Sequence, residues 1–292
     1  MALRELVERY GIRLKKSLGQ NLLLDDNINR IMVDAAALTR EDDVVEVGAG
    51  LGALTAQLCP KARRVLAIEI DKAFMPCLED RFSGVENVVL FRGDVLNHDL
   101  GQLVEEYLPG AERCKMVSNL PYYITTPVLF HFLESAAPFS RIVVMVQEEV
   151  AFRMTAPVGS TDYGVLAVSC RYYADVDIVH KVSRSCFRPA PRVDSCIVRL
   201  RCRTPPLYPD IDGRYFIRLV RAAFGQRRKT LRNSLGRSGD LGLARGDVLE
   251  AIADAGIDPG RRPQTLSLDE FAALARELCI RGARRGRNRP NH

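Results

Sequence analysis

The tetrapeptide Asn119-Leu120-Pro121-Tyr122 has the residue types that most specifically indicate a chemistry. Adenine N6 is a poor nucleophile because its lone pair is delocalised into the ring, and acceptors on both amino hydrogens would localise that pair. The Asn119 side-chain oxygen and the Leu120 carbonyl are two such acceptors, since Pro121 biases the residue before it toward an extended conformation. Tyr122 offers a ring on which an extruded base can stack. The segment predicts methyl transfer to an adenine amino group; a polar turn after a strand is the alternative.

A glycine-rich segment, VEVGAGLGALT at residues 45–55, has the pattern of a strand, a tight turn and a helix start. Glycines allow such a turn and bring backbone amides close to a ligand at a helix N-terminus. The spacing is G-x-G-x-G and not the G-x-G-x-x-G of dinucleotide binders, which argues against a nicotinamide-dependent oxidoreductase. The turn is compatible with a ligand at the helix N-terminus, although a purely structural bend fits it about as well.

Carboxylates follow the next two strand-like runs. Glu69 ends the second run, where a carboxylate can accept hydrogen bonds from both hydroxyls of a ribose, and the following Asp71 could serve as well. Asp94 ends the third run and could accept from an adenine amino group. An ordinary solvated acid is the alternative for Glu69. Because three consecutive strands end in suitable residues, we predict a nucleoside pocket.

The elements that must position these residues alternate along the chain. Strand-like runs at 44–47, 64–68, 88–91, 115–117 and 141–146 are separated by helical patterns, as is typical of an α/β parallel sheet. Ligands of such sheets bind at the carboxyl ends of the strands, where the polar residues should gather.

A proline-rich stretch with Pro205, Pro206 and Pro209 marks a linker, and the pattern beyond it becomes helical. We therefore predict a catalytic domain at 1–205 and a small all-α domain at 206–280. The segment 281–292 has five arginines and no acidic or large apolar residue, so we expect a basic disordered tail.

The charge is unevenly distributed over the 292 residues. The formal net charge is +6, but residues 1–180 carry −7 and residues 181–292 carry +13. This asymmetry predicts a polyanion partner for the C-terminal part, with solvated arginine-rich faces as the alternative. Length and the 47% apolar content fit one large or two modest globular domains.

Several classes are disfavoured by what the sequence lacks. No apolar run approaches the ~20 residues of a membrane span, and the first twenty residues lack the apolar core of a secretory signal. The eight cysteines form no C-x-x-C pair and have no zinc-finger spacing to histidine, so we expect reduced thiols and no metal. A cytoplasmic protein is the expectation.

Six segments in order resemble the ribosomal RNA adenine N6-dimethyltransferases, most closely the bacterial small-subunit members linked to kasugamycin sensitivity. They are KKSLGQNLLLD (15–25), EVGAGLGALT (46–55), AIEID (67–71), GDVL (93–96), NLPYYITTPVL (119–129) and FRPAPRVDS (187–195), and FGQRRKTLRNSL (224–235) adds a C-terminal signature. The resemblance covers about residues 10–280. It implies a Rossmann-like class I methyltransferase sheet with helices on both faces, and S-adenosylmethionine as methyl donor.

The resemblance also implies roles for individual positions. The cofactor would be bound by Asn21, Leu23, Gly48, Gly50, Glu69, Asp94, Val95 and Asn119. The catalytic set would be Asn119, Leu120, Tyr122 and Phe187, with the two aromatic rings enclosing the flipped adenine. Leu22 stands where many members have Phe, and Tyr123 where many have Asn, which bears on the fine shape of the pocket.

Basic residues near these motifs suit a nucleic acid. Phe187 opens a loop stiffened by Pro189 and Pro191, which suits base stacking with phosphate contacts; a Phe packed onto its own domain is the alternative. The expected RNA-binding residues are Arg188, Arg192, Arg221, Arg227, Arg228 and Lys229, and Lys15 and Lys16 could flank the pocket.

The reaction implied by the family is dimethylation of two adjacent adenosines in a hairpin loop near the 3′ end of small-subunit rRNA, in the pre-30S particle, by a monomer. Two alternatives remain open. One is a large-subunit rRNA methyltransferase of the macrolide-resistance type, which would share the pocket. The other is a non-enzymatic ribosome-assembly factor on an inherited methyltransferase fold.

Overall fold

The computed structural model describes residues 3–15, 19–226, 228–236 and 241–287. The chain divides into two compact units: Met1–Ala151 with Asp175–Cys202, and Phe152–Ala174 with Arg203–His292. This division differs from the single boundary predicted at residue 205. The segment 152–174 belongs to the second unit because its aromatic residues pack there: Tyr163 donates to the Leu266 carbonyl (3.0 Å), and the Tyr172 ring stacks on Phe216 at 4.6 Å.

Nine strands lie within the described residues. They are β1 (Leu22–Leu23), β2 (Asp43–Val47), β3 (Arg64–Glu69), β4 (Val88–Arg92), β5 (Cys114–Asn119), β6 (Phe139–Gln147), β7 (Ala174–Val182), β8 (Phe187–Arg188) and β9 (Ser195–Cys202). Seven of them form one sheet in the order β4-β3-β2-β5-β6-β9-β7. The pairings among β2 to β6 are parallel, and β9 runs antiparallel to β6. The α/β sheet predicted from the sequence is confirmed.

The central parallel strands are largely buried because both faces of the sheet are covered there, whereas the edge strand β4 is only partly buried. All five residues of β2 are buried, including Asp43 and Glu46, so burial does not alternate along this strand. The register places Val47 beside Ile68 and Glu69 beside Arg92, so the carboxyl ends of β2, β3 and β4 lie level with one another. The residues that follow these strands therefore meet at one edge.

Helices flank the sheet of the first unit. They are α1 (Leu3–Arg9), α2 (Asp26–Ala36), α3 (Thr55–Leu58), α4 (Met75–Arg81), α5 (Leu100–Tyr107) and α6 (Thr125–Leu133), followed by α7 (Glu148–Thr155), which runs across the division. Helix α2 begins where the Asp25 carboxylate accepts from the Asn27 amide (2.9 Å), and its Met32 and Val33 pack with Val44 and Val143 of the sheet.

The second unit is helical within the described residues. Its helices are α8 (Val165–Tyr173), α9 (Gly213–Phe224), α10 (Leu231–Leu235), α11 (Arg245–Asp254) and α12 (Leu268–Arg287). Helix α12 continues past residue 280, where we expected disorder, because Arg281 pairs with Glu250 and Asp254 of α11 and arginine favours helix. The remainder of the predicted tail, 288–292, lies outside the described residues. None of the helices in the described ranges has both the length and the apolarity that a membrane span requires.

Candidate active site

One pocket opens at the carboxyl ends of β2, β3, β4 and β5, within the first unit. Its walls are formed by residues 19–23, 46–51, 53–54, 68–70, 93–95 and 119–124, together with Asn29, Phe74 and Phe187. All of the predicted cofactor-binding and catalytic residues lie on these walls. The pocket thus brings together motifs that are far apart in the sequence.

The glycine-rich turn forms the floor after β2. Gly48, Gly50 and Gly52 all have positive φ (79°, 55° and 72°), which only glycine adopts without strain. At Gly52 a Cβ would also lie 2.5 Å from the Phe82 ring, so the turn packs closely on the helix behind it. The amides of Gly48 and Ala49 donate to the Ile68 carbonyl (2.8 and 3.2 Å). These two amides are therefore used within the fold, and the turn shapes the pocket more than it donates to a ligand.

The Glu69 carboxylate lies at the end of β3, directly across the turn. One oxygen accepts from the Gly50 amide (2.8 Å) and the other from the Asp71 amide (2.8 Å). The side chain is only about 5% exposed, and burial raises the pKa of Glu69 despite these two hydrogen bonds. A carboxylate has about four acceptor positions, so two remain for a ligand. The structure places Glu69 in the pocket, as the sequence predicted.

A second buried acid, Glu46, was not singled out by the sequence analysis. It lies on β2 with 2% exposure and accepts from the Thr55 hydroxyl (2.6 Å). Burial raises the pKa of Glu46 to about 8, and the charge of Glu69 acts in the same direction, against the Thr55 hydrogen bond. The sequence did contain a signal for Glu46, because it lies just before the glycine turn, within a strand that is mostly apolar. Glutamate is rarely buried unless it has a partner or a function.

Asp71 does not line the pocket. Its oxygens accept from Lys15, Gln20 and the Ala73 amide, so it does not stand beside Glu69 as a second acceptor for a ribose. Asp94 does reach the pocket and also caps a 3₁₀ turn, accepting from the Leu96 amide at 3.1 Å. The next residue, Val95, is buried and contributes an apolar wall.

The tetrapeptide Asn119-Leu120-Pro121-Tyr122, predicted to be catalytic, begins at the last residue of β5. Asn119 ends the strand, and within the described part of the chain its side-chain amide has no hydrogen-bond partner. Leu120 is buried, and Pro121 has φ −57° and ψ 130°, which turns the chain into a 3₁₀ turn at Tyr122–Ile124. The Pro121 ring lies against the glycine turn, 3.5 Å from where a Gly48 Cβ would be. Asn119 therefore borders the floor of the pocket with its polar atoms available.

The two aromatic residues of the predicted catalytic set are held differently. The Tyr122 hydroxyl is hydrogen-bonded to the Ser195 hydroxyl (2.7 Å), and burial raises the pKa of Tyr122. Phe187 is 1% exposed and packs with Leu23 and Met32 in the core, although it also borders the pocket. The predicted loop at 187–193 begins as strand β8, which pairs with β1, because Leu22 and Leu23 supply an antiparallel partner. Phe187 is thus fixed by its own unit and does not project from a free loop.

The N-terminal segment completes the pocket. Asn21 donates to the Gly19 carbonyl (3.1 Å), and Leu23 is buried beneath β8 in the core cluster of Phe187. Tyr123, half exposed, lies against Gly19, where a Cβ would be 3.3 Å from its ring. Ser195 and Gly19 were not predicted as site residues, although both fall inside the quoted motifs.

The predicted RNA-binding residues are at the surface of their units. Arg188 and Arg192 are exposed in the first unit, and Arg221, Arg228 and Lys229 are exposed in the second. Arg227 lies outside the described residues. The eight cysteines are free thiols, and no cluster of three or more potential metal ligands occurs among the described residues.

The sheet order, the glycine turn after β2 and the acid after β3 define a Rossmann-like methyltransferase, and solved structures agree. A dimethyladenosine transferase from Plasmodium falciparum matches with a TM-score of 0.73 and 27% identity, over 89% of this chain and 98% of that one. The 23S rRNA methyltransferase ErmE matches with a TM-score of 0.64 and 28% identity, over 88% of this chain and 99% of that one.

The chain belongs to the ribosomal RNA adenine dimethylase family, whose profile matches residues 11–278. It is 47% identical to ribosomal RNA small subunit methyltransferase A of Moorella thermoacetica over 94% of this chain and 95% of the relative. It is 44% identical to the protein of the same name from Clostridioides difficile, over 94% of each. The family resemblance inferred from the motifs is confirmed, and the protein is an rRNA-modifying enzyme.

Proposed function

We propose that this enzyme transfers methyl groups from S-adenosylmethionine to N6 of two adjacent adenosines in a hairpin loop near the 3′ end of 16S rRNA, giving N6,N6-dimethyladenosine at both. The observation that carries the proposal is the Asn119 side-chain amide at the end of β5, beside the glycine turn, which has no hydrogen-bond partner among the residues that the structure describes. The small-subunit substrate is supported by relatives more than 40% identical that are named for that subunit.

The residues around the pocket fit S-adenosylmethionine. Glu69 has two acceptor positions left for ribose hydroxyls, and Asp94 and Val95 would flank the adenine. Gly48 and Gly50 would border the methionine part, with Asn21, Leu23 and Asn119 around the opening. The cofactor, when bound, supplies an electrophilic methyl group.

The chain's own contribution to the reaction is to hold the target amine. The Asn119 side-chain oxygen and the Leu120 carbonyl would accept the two N6 hydrogens, which draws the nitrogen toward a tetrahedral shape and exposes its lone pair. Tyr122, fixed by Ser195, would stack on one face of the flipped base, and Phe187 would close the other side. The methylated amine loses its proton to solvent, so no general base is required.

The basic residues would bind the RNA backbone. Arg188 and Arg192 in the first unit and Arg221, Arg227, Arg228 and Lys229 in the second are proposed to contact phosphates, which makes affinity fall steeply with salt. We place the first unit in catalysis and the helices of the second in RNA binding. The substrate is the pre-30S particle in the cytoplasm, and the enzyme acts as a monomer.

A large-subunit substrate is the second candidate, because the chain is also 28% identical to the 23S rRNA methyltransferase ErmE. The two are separated by incubating the protein and labelled S-adenosylmethionine with unmodified small subunits or with large-subunit RNA. The RNA is then digested and the methylated nucleosides are mapped. Dimethyladenosine at two adjacent small-subunit positions supports the proposal. Label in large-subunit RNA alone assigns the second candidate, and no transfer with S-adenosylmethionine still bound favours an assembly factor.

A further inference from the structure

Asp71 is a buried carboxylate beside the pocket that the proposed reaction does not use. Its side chain is 1% exposed. One oxygen accepts from the Lys15 ammonium (2.8 Å) and the Ala73 amide (3.1 Å), and the other accepts from the Gln20 amide (2.9 Å). An acid this deeply buried and so fully hydrogen-bonded has a structural role in holding its donors.

Two of the three donors come from the N-terminal segment. The Lys15 backbone amide also donates to the Gln20 side-chain oxygen (2.7 Å), so these two residues are fixed to each other as well as to Asp71. We call Lys15, Gln20 and Asp71 the Asp71 junction. On its other side the Asp71 amide donates to Glu69 at 2.8 Å, so the junction is joined directly to the predicted ribose acceptor.

The residues next to Gln20 in the sequence form part of the pocket wall. Gly19 lies against the Tyr123 ring, Asn21 lines the opening, and β1 pairs with β8. The Leu24 amide continues this attachment by donating to the Cys186 carbonyl (2.9 Å). The wall formed by residues 19–24 is thus held at one end by β8 and at the other by the Asp71 junction.

We propose that Asp71 is a positioning residue, which fixes residues 19–23 at the pocket and thereby sets the affinity for the cofactor without contacting it. The inference rests on the proposed function for the identity of that cofactor. The physical cause is that one carboxylate accepts from three donors: an ammonium, a side-chain amide and a backbone N–H. If the carboxylate is removed, all three donors lose their acceptor. A solvent-exposed ion pair would contribute little, but here the carboxylate is excluded from water.

The ionisation of Asp71 is compatible with this role. Burial alone would raise the pKa of the carboxyl, but hydrogen bonds from Lys15 and Gln20 hold it below its usual value. The groups facing the Asp71 carboxylate are these two side chains and the carboxylate of Glu69, which accepts from the Asp71 backbone amide. The carboxylate therefore stays charged at neutral pH, and its hydrogen bonds are strengthened by that charge.

The test is Asp71→Asn, which keeps the shape but turns one acceptor into a donor. We expect the Kd for S-adenosylmethionine, measured by calorimetry, to rise about tenfold, while kcat at saturating cofactor stays within about twofold. Hydrogen exchange of the protein without cofactor should become faster at the Leu24 amide, which donates to the Cys186 carbonyl. Asp80→Asn is the matched control: Asp80 also bonds N-terminal residues, Arg9 and Tyr10, but neither Lys15 nor any of residues 19–24, so neither measurement should change.

Lys15→Met is the second variant and removes the exposed partner without burying a new polar group. It should raise the same Kd about threefold, and Lys15→Arg should restore most of the affinity. If Asp71→Asn does not fold, the Kd and the exchange rates of the two Lys15 variants test the inference. Wild-type affinity with wild-type exchange in the variants overturns the inference, and so does a loss of kcat with unchanged exchange. If the wild type binds no S-adenosylmethionine, the proposed function fails, while the exchange measurement still tests the junction.

Discussion

The two sides of the pocket are constructed differently. On the side of β2 and β3, the polar groups already have partners: Glu69 accepts two backbone amides and Glu46 accepts a hydroxyl. On the side of β5, the Asn119 amide has no partner among the described residues, and Tyr122 is held through a single hydroxyl. The first side is fixed before any ligand arrives, whereas the second presents polar groups that are open to a substrate.

This difference indicates that one side of the pocket serves cofactor binding and the other serves catalysis. Preformed hydrogen bonds cost no reorganisation on binding, so the first side suits tight and repeated binding of a small cofactor. Unsatisfied acceptors gain most when the charge of the transition state develops beside them, so the second side suits catalysis. Removing a group on one side should therefore change affinity, and removing a group on the other should change rate.

The largest effect is expected on the catalytic side. Asn119→Ala removes one of two acceptors for the target amine and should lower the methylation rate at saturating cofactor about 100- to 1000-fold. The Kd for S-adenosylmethionine should change by less than about tenfold, and affinity for unmodified small subunits should persist. Single-turnover methylation and filter binding measure these quantities.

The matched control for that variant is Asn27→Ala, an exposed asparagine on α2 that should leave both quantities unchanged. If Asn119→Ala instead weakened cofactor binding as much as it slowed transfer, the two sides of the pocket would not be functionally distinct.

An intermediate effect is expected on the binding side. Glu69→Gln places an amide nitrogen against one of the backbone donors, Gly50 or Asp71, and leaves fewer acceptors for the ribose. The Kd for S-adenosylmethionine should rise about fiftyfold, with kcat at saturation within about threefold. Glu79→Gln on the surface of α4 is the control, and calorimetry is the measurement. An unchanged Kd would mean that the ribose is bound elsewhere.

The smallest effect concerns the pH dependence of the preformed side. Because burial raises the pKa of Glu46 to about 8, the folded protein binds a proton there more tightly than the unfolded chain does. That contribution to stability is complete below the unfolded pKa and is lost as pH rises through about 8. The wild type should lose about 1 to 2 kcal/mol between pH 6.5 and 9 from this group.

Glu46→Gln should abolish that part of the decline, since glutamine does not titrate and its oxygen can still accept from Thr55. Thermal unfolding at several pH values, with Glu79→Gln as the exposed control, measures the difference. A variant whose stability declines with pH as steeply as that of the wild type would place the titrating group elsewhere.

Much of this arrangement follows from local sequence. The strands β2 to β6 each contain an apolar run, and polar residues stand at or just after the ends of these runs, so Glu69, Asp94 and Asn119 could be placed at one edge. The N-terminal site residues were predicted only from the family motifs, because their residue types do not by themselves indicate a chemical role.

The parts that sequence did not reveal depend on distant partners. Strands β1 and β8 have two residues each, too few for any periodicity, and exist because they pair. The burial of Phe187 and the role of Asp71 depend in the same way on Met32, Lys15 and Gln20. The segment 152–174 belongs to the helical unit through the contacts of Tyr163 and Tyr172. The order of elements in the sequence instead predicted that this segment belongs to the domain of the sheet.

The pairing of β1 with β8 has a consequence for how the enzyme is made. Leu23 precedes β2 to β7 in the chain, and its partner Phe187 is synthesised only after all six of those strands. Because chains emerge from their N-terminus, the glycine turn and its carboxylates can fold while the N-terminal strand still waits for its neighbour. The wall of the pocket that β1 and β8 form together can therefore be completed only after Phe187 has been synthesised.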